Sequence, residues 1–84
     1  MAAPISVIGI MVNERDDVAP ELQEVITKFG RDILGRMGVP SSNKENGLIT
    51  LIYEGELNQV SVFHRELEKV QGITVQTMSF PTDV

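Results

Sequence analysis

Ile5-Ser6-Val7-Ile8-Gly9-Ile10-Met11-Val12 is a run of strand length, dominated by β-branched and other apolar residues. Successive side chains of a strand point to opposite faces, so Ile5, Val7 and Met11 fall on one side and Ile8, Ile10 and Val12 on the other. A strand that is apolar on both sides belongs in the middle of a covered sheet. Gly9 interrupts one of those faces, and two readings stand for it: an opening for a partner's side chain or backbone, or a small residue beneath a crossing helix.

Working outward, Asn13 to Asp17 is a polar loop in which Asp17 or Asp16 offers a helix N-cap. With that start Pro20 falls in the first turn, where its missing N–H costs little. Val18, Leu22, Val25, Ile26 and Phe29 then recur at helical spacing, and Gly30 reads as the C-terminal stop. Ile33-Leu34 and Gly35-Arg36-Met37-Gly38-Val39-Pro40 read as a second, irregular strand, with the closing proline suited to a sheet edge. Ser41 to Gly47 is a loop ending in the Asn46-Gly47 turn signal. Leu48 to Tyr53 is a third strand, apolar on both faces and therefore central.

Glu54-Gly55 turns the chain into a second amphipathic helix whose buried stripe is Leu57, Val60, Phe63, Leu67 and Val70. Gly72 ends that helix, and Ile73 beside it supplies the apolar contact of a Schellman-type cap. In the last strand, Ile73 to Phe80, Ile73 and Val75 face one way and Thr74, Gln76 and Met78 the other. Residues 81–84 read as a frayed tail. The order strand, helix, strand, strand, helix, strand is the α+β, ferredoxin-like βαββαβ pattern, here one domain over residues 1–84. It is a four-stranded antiparallel sheet with both helices on one face, joined by right-handed crossovers. The first and third strands are central in that topology, which is where the two-faced apolar runs fall. Their second faces would then expose valine and isoleucine to water, and a partner sheet is the natural cover.

At 84 residues the domain has a marginal core, and with no cysteine neither a disulfide nor a thiolate-held metal can reinforce it. Oligomerisation through the open sheet face or an edge is the expected remedy. A net charge of −5 argues against direct binding of nucleic acid, which depends on neutralising phosphates. The first residues lack the basic and apolar regions of a signal peptide, and no apolar run approaches membrane-spanning length. The expectation is a soluble, cytoplasmic protein.

Arg36, between Gly35 and Gly38, is the charged residue with the most specific setting. Its planar five-donor fork suits a carboxylate or phosphate, and the glycines leave the backbone open to close approach. The bland alternative is a surface ion pair with Asp32 or Glu54. Asn13, at the end of the first strand, completes a candidate ligand-binding set of Asn13, Gly35, Arg36 and Gly38. His64 is the only histidine and reads as a boundary side chain, so no metal site and no cofactor are expected. Glu14, Asp16 and Asp17 could grip a cation, but capping and helix-dipole roles explain them at less cost. Ser41 and Ser42 have no nearby base for nucleophilic catalysis, and Gly35-x-x-Gly38 is too short for a nucleotide-binding loop.

The stretch Ile33-Leu34-Gly35-Arg36-Met37-Gly38-Val39-Pro40, together with Gly47-Leu48-Ile49-Thr50-Leu51-Ile52-Tyr53-Glu54-Gly55 and the first strand, resembles the iron-only hydrogenase system regulator family nearly end to end. The Gly-Arg-Met-Gly-Val-Pro segment is the specific part. The resemblance implies an ACT-like fold, akin to the ligand-sensing half of nickel-responsive repressors, and it implies oligomers and a regulatory role. It carries over no catalytic residue. Those repressors bind metal through several histidines and a cysteine and carry a DNA-binding arm, whereas this chain has one histidine, no cysteine and little room for an arm. The reading is therefore a small-ligand-sensing or protein-interaction module that works as a homo-oligomer, acting on a small anionic ligand or a partner protein. Two alternatives stand beside it: a small enzyme of the dimeric-barrel type, and a purely structural assembly subunit.

Overall fold

Ile5–Val12 forms strand β1 over the span its β-branched run predicts, and it lies inside the sheet with a hydrogen-bonded neighbour on each side. The computed structural model describes the backbone of residues 3–13, 15–40 and 46–80, and the side chains of these residues other than 15–19 and 40. The loop from Ser41 to Glu45, the side chains of Asp16 and Asp17, the cation-gripping role weighed for Glu14, the side chain of Val18 and the tail from Pro81 lie outside what is described. After β1 come α1 (Arg15–Lys28), a single 3-10 turn (Gly30–Asp32), β2 (Ile33–Pro40), β3 (Gly47–Glu54), α2 (Leu57–Glu68) and β4 (Ile73–Phe80). The sheet order is β2-β3-β1-β4 with every pairing antiparallel. This is the ferredoxin-like arrangement, with the two strands that are apolar on both faces at its centre.

One face of the sheet carries both helices. Ile8, Ile10 and Val12 of β1 and Leu51 and Tyr53 of β3 form a single buried cluster with Leu22 and Ile26 of α1 and with Val60, Phe63, Leu67 and Val70. Phe63 is fully buried at its hub, stacked on Phe29 with ring centroids 4.6 Å apart and tilted against Tyr53 at 5.5 Å. Burying side chains of this size contributes ~1.5–3 kcal/mol each, which makes this layer the main source of stability. Ser6 is the one buried polar residue of the cluster's strands, and its hydroxyl is paired across the sheet with that of Ser79 at 2.7 Å.

Four local readings need correction. Helix α1 starts at Arg15, ahead of the expected cap, so Pro20 stands in its second turn and removes one helical hydrogen bond. Asp and Pro both suit a first turn, which made the later start look natural. Gly30 does not close the helix in a left-handed conformation; it opens the 3-10 turn that leads into β2. Leu57 is 56% exposed although it shares the helical spacing of Val60 and Phe63, because it is the first residue of α2 and lies beyond the covering layer. Gly72 does not cap α2, which ends at Glu68 with Lys69 as its C-cap; its φ of 86° serves the turn that follows and leads into β4. Its carbonyl accepts the Asn13 N–H at 2.8 Å, tying the end of β1 to the start of β4.

Candidate functional site

Strand β2 is an edge strand, so alternate backbone N–H and C=O groups along it face away from β3. The pairing of β2 with β3 shifts register between Ile33 and Gly35, leaving Leu34 as an extra residue that is 61% exposed. Beyond that bulge Arg36 pairs with Leu51 and Gly38 with Ile49, so both sit on the face that carries the helices. Gly35 pairs with Ile52 and belongs to the opposite face. A Cβ on either glycine would meet nothing within 4 Å, so the strand around Arg36 is sterically open. The guanidinium is exposed, and its Nη1 donates a long hydrogen bond of 3.4 Å to Oε1 of Gln23 on α1.

The ion pairs weighed for Arg36 are absent among the described residues. Glu54 pairs with Ile5 and lies on the other face of the sheet, and the Asp32 carboxylate instead accepts the Tyr53 hydroxyl at 3.4 Å. Asn13 is also remote. Arg36 is level with Leu51 and Ile8, and Asn13 lies five residues beyond Ile8 and two strands away, a separation on the order of 20 Å. One chain therefore brings Gly35, Arg36 and Gly38 together and leaves Asn13 apart from them.

The second feature is the sheet face away from the helices. Ile5, Met11, Met37, Val39, Leu48, Met78 and Phe80 all lie on it, each between 39% and 63% exposed. Ile52 and Val7 pair at its centre and are only half-buried. Glu54 is the one ionisable side chain on this face among the described residues. Its apolar side chains span all four strands, interrupted by Thr50, Thr74 and Gln76, and an exposed apolar patch of this extent is often a functional surface.

The third is a cleft of about 280 Å³ over the Tyr53–Asp32 pair, with Lys28, Arg31 and Asn58 on its walls. Burial raises the Tyr53 phenol above its ordinary value, and the charge and hydrogen bond of Asp32 raise it further. Nothing in the local sequence pattern signals this pair, because its members are 21 residues apart. His64 is a boundary residue, with Nδ1 at 2.7 Å from the Thr77 hydroxyl and Nε2 at 3.5 Å from Glu68. Among the described residues no group of three or more His, Asp or Glu side chains is placed to hold a metal ion. No helix among them is long and apolar enough to cross a membrane.

Residues 4–77 match the family described as "TM1266-like: Iron-only hydrogenase system regulator, putative". The chain belongs to that family. No curated protein matches it. Among solved structures it is similar to the uncharacterized protein TM1266 from Thermotoga maritima at 21% identity, covering 96% of this chain and 100% of that one, with a TM-score of 0.86. The ACT domain of GTP pyrophosphokinase from Chlorobium tepidum is similar at 20% identity over 93% of this chain and 100% of that one, with a TM-score of 0.74. A "putative monooxygenase" from Shewanella loihica is similar at 15% identity over 98% and 96%, with a TM-score of 0.56. At these identities the likenesses establish an ACT-like fold. The family description is that of a regulator, which agrees with a regulatory module.

Proposed function

We propose that this chain is a regulatory module that acts as a homo-oligomer, one copy covering the open sheet face of another, with Arg36 at the sheet edge as the contact for a small anion or an acidic group of a partner. The observation that carries the reading is the uncovered apolar face, which spans all four strands with one ionisable side chain among its described residues. Water against such a surface is costly, and a second copy of the same face removes it for both. The net charge of −5 favours a small molecule or a protein as the partner over nucleic acid. The open backbone at Gly35 and Gly38 and the exposed fork of Arg36 fit bidentate contact with a carboxylate or phosphate. Asn13, remote within one chain, joins such a site only where subunits meet. Native mass spectrometry of the untreated protein tests the reading, because it reports the oligomer and any retained small molecule together. A species of 9.3 kDa at micromolar concentration, confirmed by light scattering, would refute the oligomer.

A further inference from the structure

Gly9 stands in the middle of a central strand, where a glycine weakens the strand and a larger residue would normally be found. It pairs with Thr50 on one side and Gln76 on the other, which puts it on the face away from the helices. The reading of Gly9 as a small residue beneath a crossing helix is therefore excluded. Its backbone is not left-handed, and a Cβ placed on it would have the Gln76 carbonyl oxygen at 3.9 Å as its nearest neighbour, an ordinary contact. Nothing within the chain requires glycine here. Its effect is instead to open a shallow depression of about 340 Å³, rimmed by Met11, Leu48, Thr74 and Gln76, at the centre of the apolar face.

We infer that this depression is a socket for an apolar side chain of a second copy of the chain, and that Gly9 serves self-association and not folding. The inference rests on the homo-oligomer proposed above and names the face and the contact that build it. The area supports a second copy as the occupant. Four strands of eight residues give a flat footprint of roughly 26 by 19 Å, or ~500 Å², which side-chain relief brings towards the ~800 Å² that each partner of a stable complex contributes. A small molecule in the depression would leave Met37, Val39, Met78 and Phe80 as exposed as before. The composition of the face also supports it. Three of the four methionines of the chain, Met11, Met37 and Met78, lie here, and an unbranched thioether is suited to filling an irregular gap in a facing surface.

The test compares the wild-type protein with Gly9→Ala and with Thr74→Trp, which fills the depression from its rim on β4 and leaves the sequence of β1 unchanged. Ser61→Trp, on the exposed side of α2, is the control. Sedimentation velocity over a concentration series gives the association constant, and circular dichroism gives the fold. Association should weaken at least tenfold in both socket variants and stay unchanged in the control. The dissociated Gly9→Ala chain should melt no lower than dissociated wild type, since alanine suits a strand better than glycine. An oligomeric wild type with both socket variants associating equally well would overturn the socket while leaving the oligomer standing, built by an edge. A wild type that is monomeric at every concentration would remove the proposed function and the socket together. A small molecule retained by wild type and lost in Gly9→Ala, with the oligomer unchanged, would give the depression to a ligand and overturn the inference.

Discussion

Replacing Gly55 by alanine should destabilise this domain more than any other glycine-to-alanine change among the described residues. Gly55 is buried between β3 and α2, and its backbone is not left-handed, so only space demands a glycine there. An added Cβ would lie 2.6 Å from Cε1 of Tyr53, 3.0 Å from Oε1 of Gln59 and 3.3 Å from Cζ of Tyr53. Neither neighbour moves freely. The Tyr53 ring is 2% exposed, packs against Phe63 and reaches Asp32 through its hydroxyl. The Gln59 side chain accepts the Glu56 N–H at 3.1 Å and completes the capping box that starts α2. Overpacking of this kind costs ~1–3 kcal/mol, and a displaced cap adds ~0.5–1 kcal/mol. With ~4–8 °C lost per kcal/mol in a domain of this size, the melting temperature should fall by roughly 6–32 °C. Thermal melts at one fixed protein concentration keep any association constant between variants, and urea titrations with an unchanged slope would confirm a loss of stability. A Gly55→Ala protein melting within about 4 °C of wild type would refute the steric reasoning. So would strict additivity with Tyr53→Leu, because removing the obstructing ring should recover part of the cost.

Three further outcomes are expected. Arg36→Lys should weaken a carboxylate or phosphate ligand almost as much as Arg36→Ala, both leaving the melt of the free protein within about 1 kcal/mol of wild type; ligand-induced shifts across amino acids, nucleotides and organic acids read this, and shifts retained by both variants would remove Arg36 from the site. Tyr53 holds its proton more tightly folded than unfolded, so its contribution is fully present below the unfolded pKa near 10 and is lost as pH rises through the higher folded value; Tyr53→Phe should flatten that alkaline loss, and a tyrosinate absorbance midpoint at or below 10 in the folded protein would contradict the sign. Gly72→Ala, which forces a side chain into the left-handed region at φ of 86°, should cost ~1–2 kcal/mol by urea denaturation, and a neutral result would show that the turn relaxes.

The order of elements and the central places of β1 and β3 were legible in the sequence. A run such as Ile5–Val12 or Leu48–Tyr53, apolar at consecutive positions, has no polar face to give to solvent and must lie inside a sheet. The stripe Val60, Phe63, Leu67 and Val70 and the proline at the end of β2 were readable on the same terms, since periodicity and backbone restriction are local properties. Strand alternation also says which residues share a face. It does not say which face is covered, because that depends on where the chain returns with its helices. Only the tertiary structure decided that Ile8 and Ile10 meet the helices while Gly9 looks outward, and that the bulge at Leu34 sets Arg36 on the helix side, away from Glu54. The pairs Tyr53–Asp32 and Ser6–Ser79 likewise exist only because distant segments converge. Local spacing carries the elements of this fold, but the candidate site is made of distances between elements, and those are set when two amphipathic helices choose one side of a two-sided sheet.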